Sequence, residues 1–259
     1  MALVYDGSTA AVVMATPADL ADLALGFSLT EGIIEHPGDI RDLEIVPGAD
    51  GIELRMWLFA ETGARLKARQ RRMVGPTGCG LCGIESLGEA MRQSRKSIRR
   101  ICLSPRQIEL ALAGLAEAQS LNRATHATHA AGFYSPGSGM MMSREDVGRH
   151  NALDKLAGAL ATAQIAGADG AIVLTSRVSV EMVQKTAAIG SSVLIAISAP
   201  TALAVRTADE CGMTLVAIAR GREFEIFTHP GGILTECSGQ RSDPCARHAM
   251  QADEPTKPF

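Results

Sequence analysis

Ala171-Ile172-Val173-Leu174-Thr175, Val193-Leu194-Ile195-Ala196-Ile197 and Thr214-Leu215-Val216-Ala217-Ile218-Ala219 are three short apolar runs, separated by stretches long enough for one helix each. Short apolar runs of this length read as strands. The stretches between them take up helical spacing from about Val180 and from about Ala202. Strand and helix in alternation make parallel neighbours joined by crossovers, with helices laid over the sheet. Outward from this centre, a helix from about Asn151 precedes the first run. Before it, residues 130–135 and 140–144 flank Pro136-Gly137-Ser138-Gly139 as a hairpin. Residues 223–228 follow as a last strand, placed at the edge.

This element order is that of the cytidine-deaminase-like fold, a three-layer α/β core with a mixed sheet, and residues 123–235 are assigned to it. A fold does not carry a function. Zinc deaminases need His-x-Glu at the first of these helices and Pro-Cys-x-x-Cys at the second. The chain has Arg149-His150-Asn151 and Ser176-Arg177-Val178-Ser179 instead, which excludes that chemistry, and no resident metal is expected. His126 and His129 are half a metal site without two further ligands at fixed spacing.

In open α/β sheets ligands settle at the carboxyl ends of the strands, where helix N-termini present N–H groups to anions. Thr175-Ser176-Arg177, Ser198-Ala199-Pro200-Thr201 and Ala219-Arg220-Gly221-Arg222 stand at three such ends. They suit a phosphate or pyrophosphate; read as helix caps with surface arginines, they need no ligand. The chain has neither a Walker sequence nor a complete dinucleotide fingerprint. Glu145-Asp146-Val147-Gly148-Arg149-His150-Asn151 has two readings as well. It supplies a general acid or phosphate ligand at a helix start, or its acids complement the helix dipole and pair with Arg149.

Residues 1–122 read as a small N-terminal α+β region. Short apolar runs at 3–5 and 11–14 flank Asp6-Gly7, a hairpin signal. Thr16-Pro17-Ala18-Asp19 opens a helix, with Thr16 as N-cap and Asp19 in the capping-box position. Leu20, Leu23, Ala24 and Phe27 mark its apolar face, and Ile52, Leu54, Met56 and Leu58 alternate as a strand. Residues 85–95 read as a helix, and Ser104-Pro105 caps another that runs to about Leu121. Residues 236–259, polar and without periodicity, read as a disordered tail.

A chain of 259 residues with net charge −3 gives no sign of a nucleic-acid or membrane partner in its total charge. It has no apolar run of spanning length and no charged-then-apolar leader, so the expected address is the cytoplasm. In that compartment six cysteines point to reactivity or metal rather than to a disulfide frame. Two of them stand in Gly75-Pro76-Thr77-Gly78-Cys79-Gly80-Leu81-Cys82-Gly83, where glycines free the backbone to approach a partner closely. Arg65, Lys67, Arg69, Arg71 and Arg72 precede the pair, and Arg92, Arg95, Lys96, Arg99 and Arg100 follow it, against Glu85 and Glu89 alone. A cationic setting lowers a thiol pKa and raises the reactive thiolate fraction. Cys79 and Cys82 are therefore candidate nucleophiles. From the residues alone, a dithiol redox or metal-binding module and a nucleotide-binding regulator with incidental thiols both stay open.

Cys79-Gly80-Leu81-Cys82-Gly83, the stretch from Glu145 through Asn151 to Ala152-Leu153-Asp154-Lys155, Glu181-Met182-Val183-Gln184-Lys185 and Ser198-Ala199-Pro200-Thr201 together resemble the formate dehydrogenase accessory sulfurtransferases, the FdhD family. Ala15-Thr16-Pro17-Ala18-Asp19 and Gly26-Phe27-Ser28-Leu29-Thr30-Glu31-Gly32 resemble its amino-terminal part. The resemblance implies a sulfur carrier, acting as a homodimer. It would take persulfide sulfur from a cysteine desulfurase and pass it to the molybdenum (or tungsten) bis(pterin guanine dinucleotide) cofactor destined for formate dehydrogenase. It further implies that Cys79 bears the persulfide with Cys82 assisting. The segment Ile218, Ala219, Arg220, Gly221, Arg222 and Glu223 would help to bind the dinucleotide. Members of the family are also expected to have more chain before the strand that here begins at Leu3.

Overall fold

The computed structural model describes residues 1–63 and 101–234. The thiol loop at 75–83, the helix expected at 85–95 and the tail at 236–259 lie outside the described residues. The fold is mixed α/β, built on two mixed sheets.

The smaller sheet has the order β2-β1-β4-β3, from β1 (Ala2–Tyr5), β2 (Ser8–Val12), β3 (Ile40–Gly48) and β4 (Gly51–Leu58). Asp6 and Gly7 both take positive φ, 48° and 79°, as the tight turn between β1 and β2 requires. β1 lies parallel to β4, and β3 pairs with β4 antiparallel. The sequence of β3, Ile40-Arg41-Asp42-Leu43-Glu44-Ile45-Val46-Pro47-Gly48, is that of an exposed edge. Most of its side chains face solvent, and an edge strand tolerates Pro47, which donates nothing to a ladder.

Helix α1 (Leu20–Thr30) closes this sheet: Leu23 and Ala24 pack on Leu3, Tyr5, Leu54, Met56 and Leu58. The expected cap at Thr16 is not formed. The residue before the helix is Asp19, in the left-handed region with φ 52° and no side-chain cap bond. Thr16 is drawn away from the helix by groups of the larger sheet, described below.

The larger sheet has the order β10-β9-β8-β7-β5-β6. β7 (Ala171–Leu174), β8 (Val193–Ala196) and β9 (Thr214–Arg220) are parallel, as the alternation predicts. The hairpin of β5 (His129–Ser135) and β6 (Gly139–Asp146) joins antiparallel to β7 through β5. β10 (Glu223–Thr228) pairs antiparallel with β9 at the edge. One face is covered by α2 (Pro105–Ala118), whose Ile108, Ala111, Leu112 and Leu115 pack on Val173, Val193, Ile195 and Val216. The other is covered by α4 (Arg149–Thr162), α5 (Val180–Ile189) and α6 (Ala202–Glu210), over Ile172, Leu174, Leu194, Ala196 and Leu215.

Ser104 caps α2 as expected, accepting from Gln107 N at 3.2 Å while Gln107 Oε1 accepts from Ser104 N at 2.8 Å. The helix stops at Ala118 rather than near Leu121, and α3 (Ser120–Thr125) starts anew. Glu145 decides this break, because its carboxylate accepts from Leu121 N and Asn122 N, each at 2.8 Å, and so satisfies the first amides of α3.

Candidate functional site

β6 joins β7 through antiparallel β5, so β6, β7, β8 and β9 all end along one edge of the larger sheet. α4, α5 and α6 follow β6, β7 and β8 and therefore begin at this edge. The loops are tied to each other there: Val178 N donates to Ala199 O at 3.2 Å, Thr201 N to Val178 O at 2.9 Å, and Ile218 N to Ser198 O at 3.3 Å. Thr201 Oγ1 caps α6 by accepting from Ala204 N at 3.2 Å.

Three guanidinium groups belong to this edge. Arg149 is the first residue of α4, Arg177 lies between β7 and α5, and Arg220 ends β9. Among the described residues none of the three has an ion-pair partner. Glu181, in the first turn of α5, lies close enough to Arg149 to feel its charge: burial opposes its ionisation, but hydrogen bonds and then the charges of His150 and Arg149 hold its pKa below the ordinary value. Guanidinium charge beside helix N-termini favours an anion. Burial, and then the charge of Arg149, depress the pKa of His150 and of His129, so neither imidazole adds positive charge near neutral pH. Among the described residues no three of His, Cys, Asp and Glu are grouped to hold a metal.

The acidic knot before α4 is not part of this edge's chemistry. Asp146 is fully buried and its carboxylate is saturated. It accepts from Thr16 N (2.9 Å), Gly148 N (2.8 Å) and Asn151 Nδ2 (3.0 Å), and pairs with buried Lys155 at 2.6 Å. Thr16 completes the clamp, its Oγ1 accepting from Val147 N and its carbonyl from Lys155 Nζ, both at 3.0 Å. Glu145 is spent on α3, where Thr128 Oγ1 also donates to it at 3.1 Å. Neither acid is a general acid or a phosphate ligand, and neither pairs with Arg149; the expectation is corrected in favour of Lys155, which can reach Asp146 from inside the helix packing. One signal was legible, since Asp154-Lys155 is a charged pair inside the apolar run from Ala152 to Ala157.

Asp154 turns the opposite way. Lys185 of α5 meets its two oxygens at 2.8 and 3.1 Å, and donates to Glu31 at 2.7 Å and Thr30 at 2.9 Å. Burial opposes the charge on Lys185, but the Asp154 and Glu31 carboxylates outweigh it and hold the ammonium pKa above its ordinary value. α1 and α4 cross closely enough for this because Gly26 and Gly158 face the other helix. A β-carbon on Gly26 would run into the Asp154 carbonyl, and one on Gly158 into the Asp22 carbonyl.

The segment Ile218 to Glu223 is divided. Arg220 stands at the shared edge, whereas Arg222 reaches toward α2, its Nε 3.5 Å from Glu109, which Arg106 also binds at 2.7 Å. These groups and Pro105 line a cavity of about 300 Å³. Cys79 and Cys82 lie outside the described residues, so their distance from this edge is not part of the geometry.

The model of the FdhD/NarQ family matches residues 1–234, and the chain belongs to that family. It is 52% identical to the sulfur carrier protein FdhD of Agrobacterium fabrum over 236 residues, 90% of this chain and 87% of that one. It is 47% identical to the protein of the same name from Cupriavidus necator, over 92% of this chain and 83% of that one. Its fold is similar to the crystal structure of a candidate formate dehydrogenase accessory protein from Desulfotalea psychrophila. The TM-score is 0.70 and the identity 25%, over 90% of this chain and 87% of that chain.

Proposed function

We propose that this chain is a sulfur carrier that serves the maturation of formate dehydrogenase. The observation that carries the reading is the similarity, over nine-tenths of the chain, to relatives named as sulfur carrier proteins. The glycine-flanked thiols Cys79 and Cys82 between basic flanks give that role a chemistry. The Cys79 thiolate attacks the outer sulfur of a persulfide on a cysteine desulfurase; the desulfurase thiolate leaves, and Cys79 holds the persulfide. For delivery, the Cys82 thiolate attacks the inner sulfur of Cys79. Hydrosulfide departs toward the cofactor, and the Cys79–Cys82 disulfide that remains is returned to two thiols by a dithiol reductant, which is itself oxidised to a disulfide.

The acceptor in this reading is the molybdenum bis(pterin guanine dinucleotide) cofactor, a substrate rather than a resident group. Its phosphates suit the edge where Arg149, Arg177 and Arg220 form no ion pair among the described residues, and of the segment 218–223 it is Arg220 that stands there. A homodimer in the cytoplasm and the cytidine-deaminase-like form of the larger sheet belong to the same reading. No helix among the described residues is long and apolar enough to cross a membrane.

The test is intact-protein mass measurement after incubation with a cysteine desulfurase and cysteine. An added sulfur atom that a reductant removes, absent from Cys79→Ala, is expected; an unmodified native chain overturns the sulfur-carrier reading. For the cofactor edge, Arg220→Ala should lower affinity for GDP about tenfold in calorimetry, as loss of a charge-assisted bond does. Unchanged affinity returns Arg220 to an ordinary surface residue.

A further inference from the structure

Ile218 has φ 53°, in the left-handed region that a β-branched side chain rarely enters. It lies inside β9, between two buried alanines, and is itself 37% exposed. The pairing with β10 explains how the strand accommodates it. Glu225 is opposite Ala217 and Glu223 is opposite Arg220, so β9 spends three steps where β10 spends two. That is a bulge, and its left-handed position is one that glycine usually fills.

The bulge changes which face each following residue addresses. In a regular strand Ala217 and Ala219 would share a face. Here Ala217 packs with Leu215 among the residues under α4, α5 and α6, and Ala219 packs with Val216 under α2. The alternation has therefore slipped by one residue at Ile218. Counting on from Ala219, Arg220 falls on the side of α4, α5 and α6, the side on which those helices begin at the strand ends. Without the slip, Arg220 would join Val216 on the α2 side, where Arg222 approaches Glu109, which also pairs with Arg106.

We infer that Ile218 is a positioning residue: its left-handed backbone aims Arg220 at the anion-binding edge, while Arg222 serves the hairpin's attachment to α2 and does not touch the ligand. This rests on the reading of that edge as the cofactor site. Backbone strain of this kind persists only where surrounding structure holds it, commonly at ligand sites. The pairing of Ile218 N with Ser198 O, at the loop that leads into α6, ties the bulge to the edge it serves.

The test is calorimetry of GDP with the full chain and four variants. Arg220→Ala should lose about tenfold or more in affinity, and Arg222→Ala should stay within about threefold. Ile218→Gly, which accepts positive φ freely, should keep affinity within about threefold. Ile218→Pro, whose ring fixes φ near −65°, should lose as much as Arg220→Ala while circular dichroism shows the native secondary structure. If Ile218→Pro does not fold, the two arginine variants still decide the face. Equal losses in Arg220→Ala and Arg222→Ala, or an Ile218→Pro that folds and binds like the native chain, overturn the inference and leave the cofactor reading standing. A native chain that binds no GDP removes that reading, and with it the ligand toward which Arg220 is aimed.

Discussion

The packing of α1 against α4 and α5 and the carboxyl edge of the larger sheet use the same kinds of residue to opposite ends. Between the helices, Lys155 and Lys185 are buried and every nearby acceptor is taken. Asp146 receives three hydrogen bonds besides its lysine, and Asp154 receives Thr30 at 2.6 Å besides Lys185. Charge removed from water is tolerable only when it is answered in this way. At the edge, Arg149, Arg177 and Arg220 form no ion pair among the described residues and reach solvent, where a charge left unpaired costs little and attracts an anion. The stretch from Glu145 to Lys155 contains both behaviours. Asp146, Asp154 and Lys155 tie residues 16–30 to the helices of the larger sheet, Glu145 holds α3, and Arg149 and His150 are left at the edge.

The largest effect is expected outside both regions. Cys79→Ala should abolish sulfur loading and formate dehydrogenase activity in cells while leaving thermal stability unchanged; Cys82→Ala should load sulfur but transfer it poorly. Mass spectra of the two variants after desulfurase treatment check this, and an adduct on Cys79→Ala that is missing from Cys82→Ala would reverse the roles.

Among the helices, Lys155→Met removes one partner of a buried pair and leaves Asp146 charged in the interior. The expected loss is about 3–5 kcal/mol in urea unfolding. A loss under about 1 kcal/mol would show that the clamp on Thr16 is dispensable, and the contrast with the edge would collapse. Arg177→Ala should change stability by less than about 0.5 kcal/mol.

Gly158→Ala sharpens the same comparison without touching a charge. Its β-carbon would meet the Asp22 carbonyl, forcing α1 off α4, for an expected loss of about 1–3 kcal/mol. If melting temperature does not move, the helices have room that their backbones do not display.

The smallest effect concerns pH. The folded chain holds the pKa of His150 and His129 below the unfolded value, through burial and then Arg149. The unfolded chain therefore binds protons first as pH falls. Stability from these groups is complete above the unfolded pKa of about 6.5 and declines below it. His150→Gln should flatten part of the decline between about pH 6.5 and pH 5.5 in urea titrations; an unchanged slope would mean that His150 is as well hydrated as in the unfolded chain.

Much of this was legible from local pattern. The strands at 171, 193 and 214, their helices, the hairpin at Pro136 and the Ser104 cap are each fixed by a few adjacent residues, and burial on both faces leaves apolar runs no other place to go. The glycine-flanked thiols and the family were legible in the same way. Tertiary structure alone decided what polar residues do, because a carboxylate's role depends on which donor arrives from elsewhere. Thr16 is a sound N-cap by local rule, yet it forms three contacts with residues 146, 147 and 155. Asp146 resembled a helix-start acid until Lys155 reached it, and Arg222 is told from Arg220 only by Glu109 of α2, which it approaches from the far side of the turn. Sequence spacing sets which residues share an element; partners more than a hundred positions away set which of them are left with charge to offer a ligand.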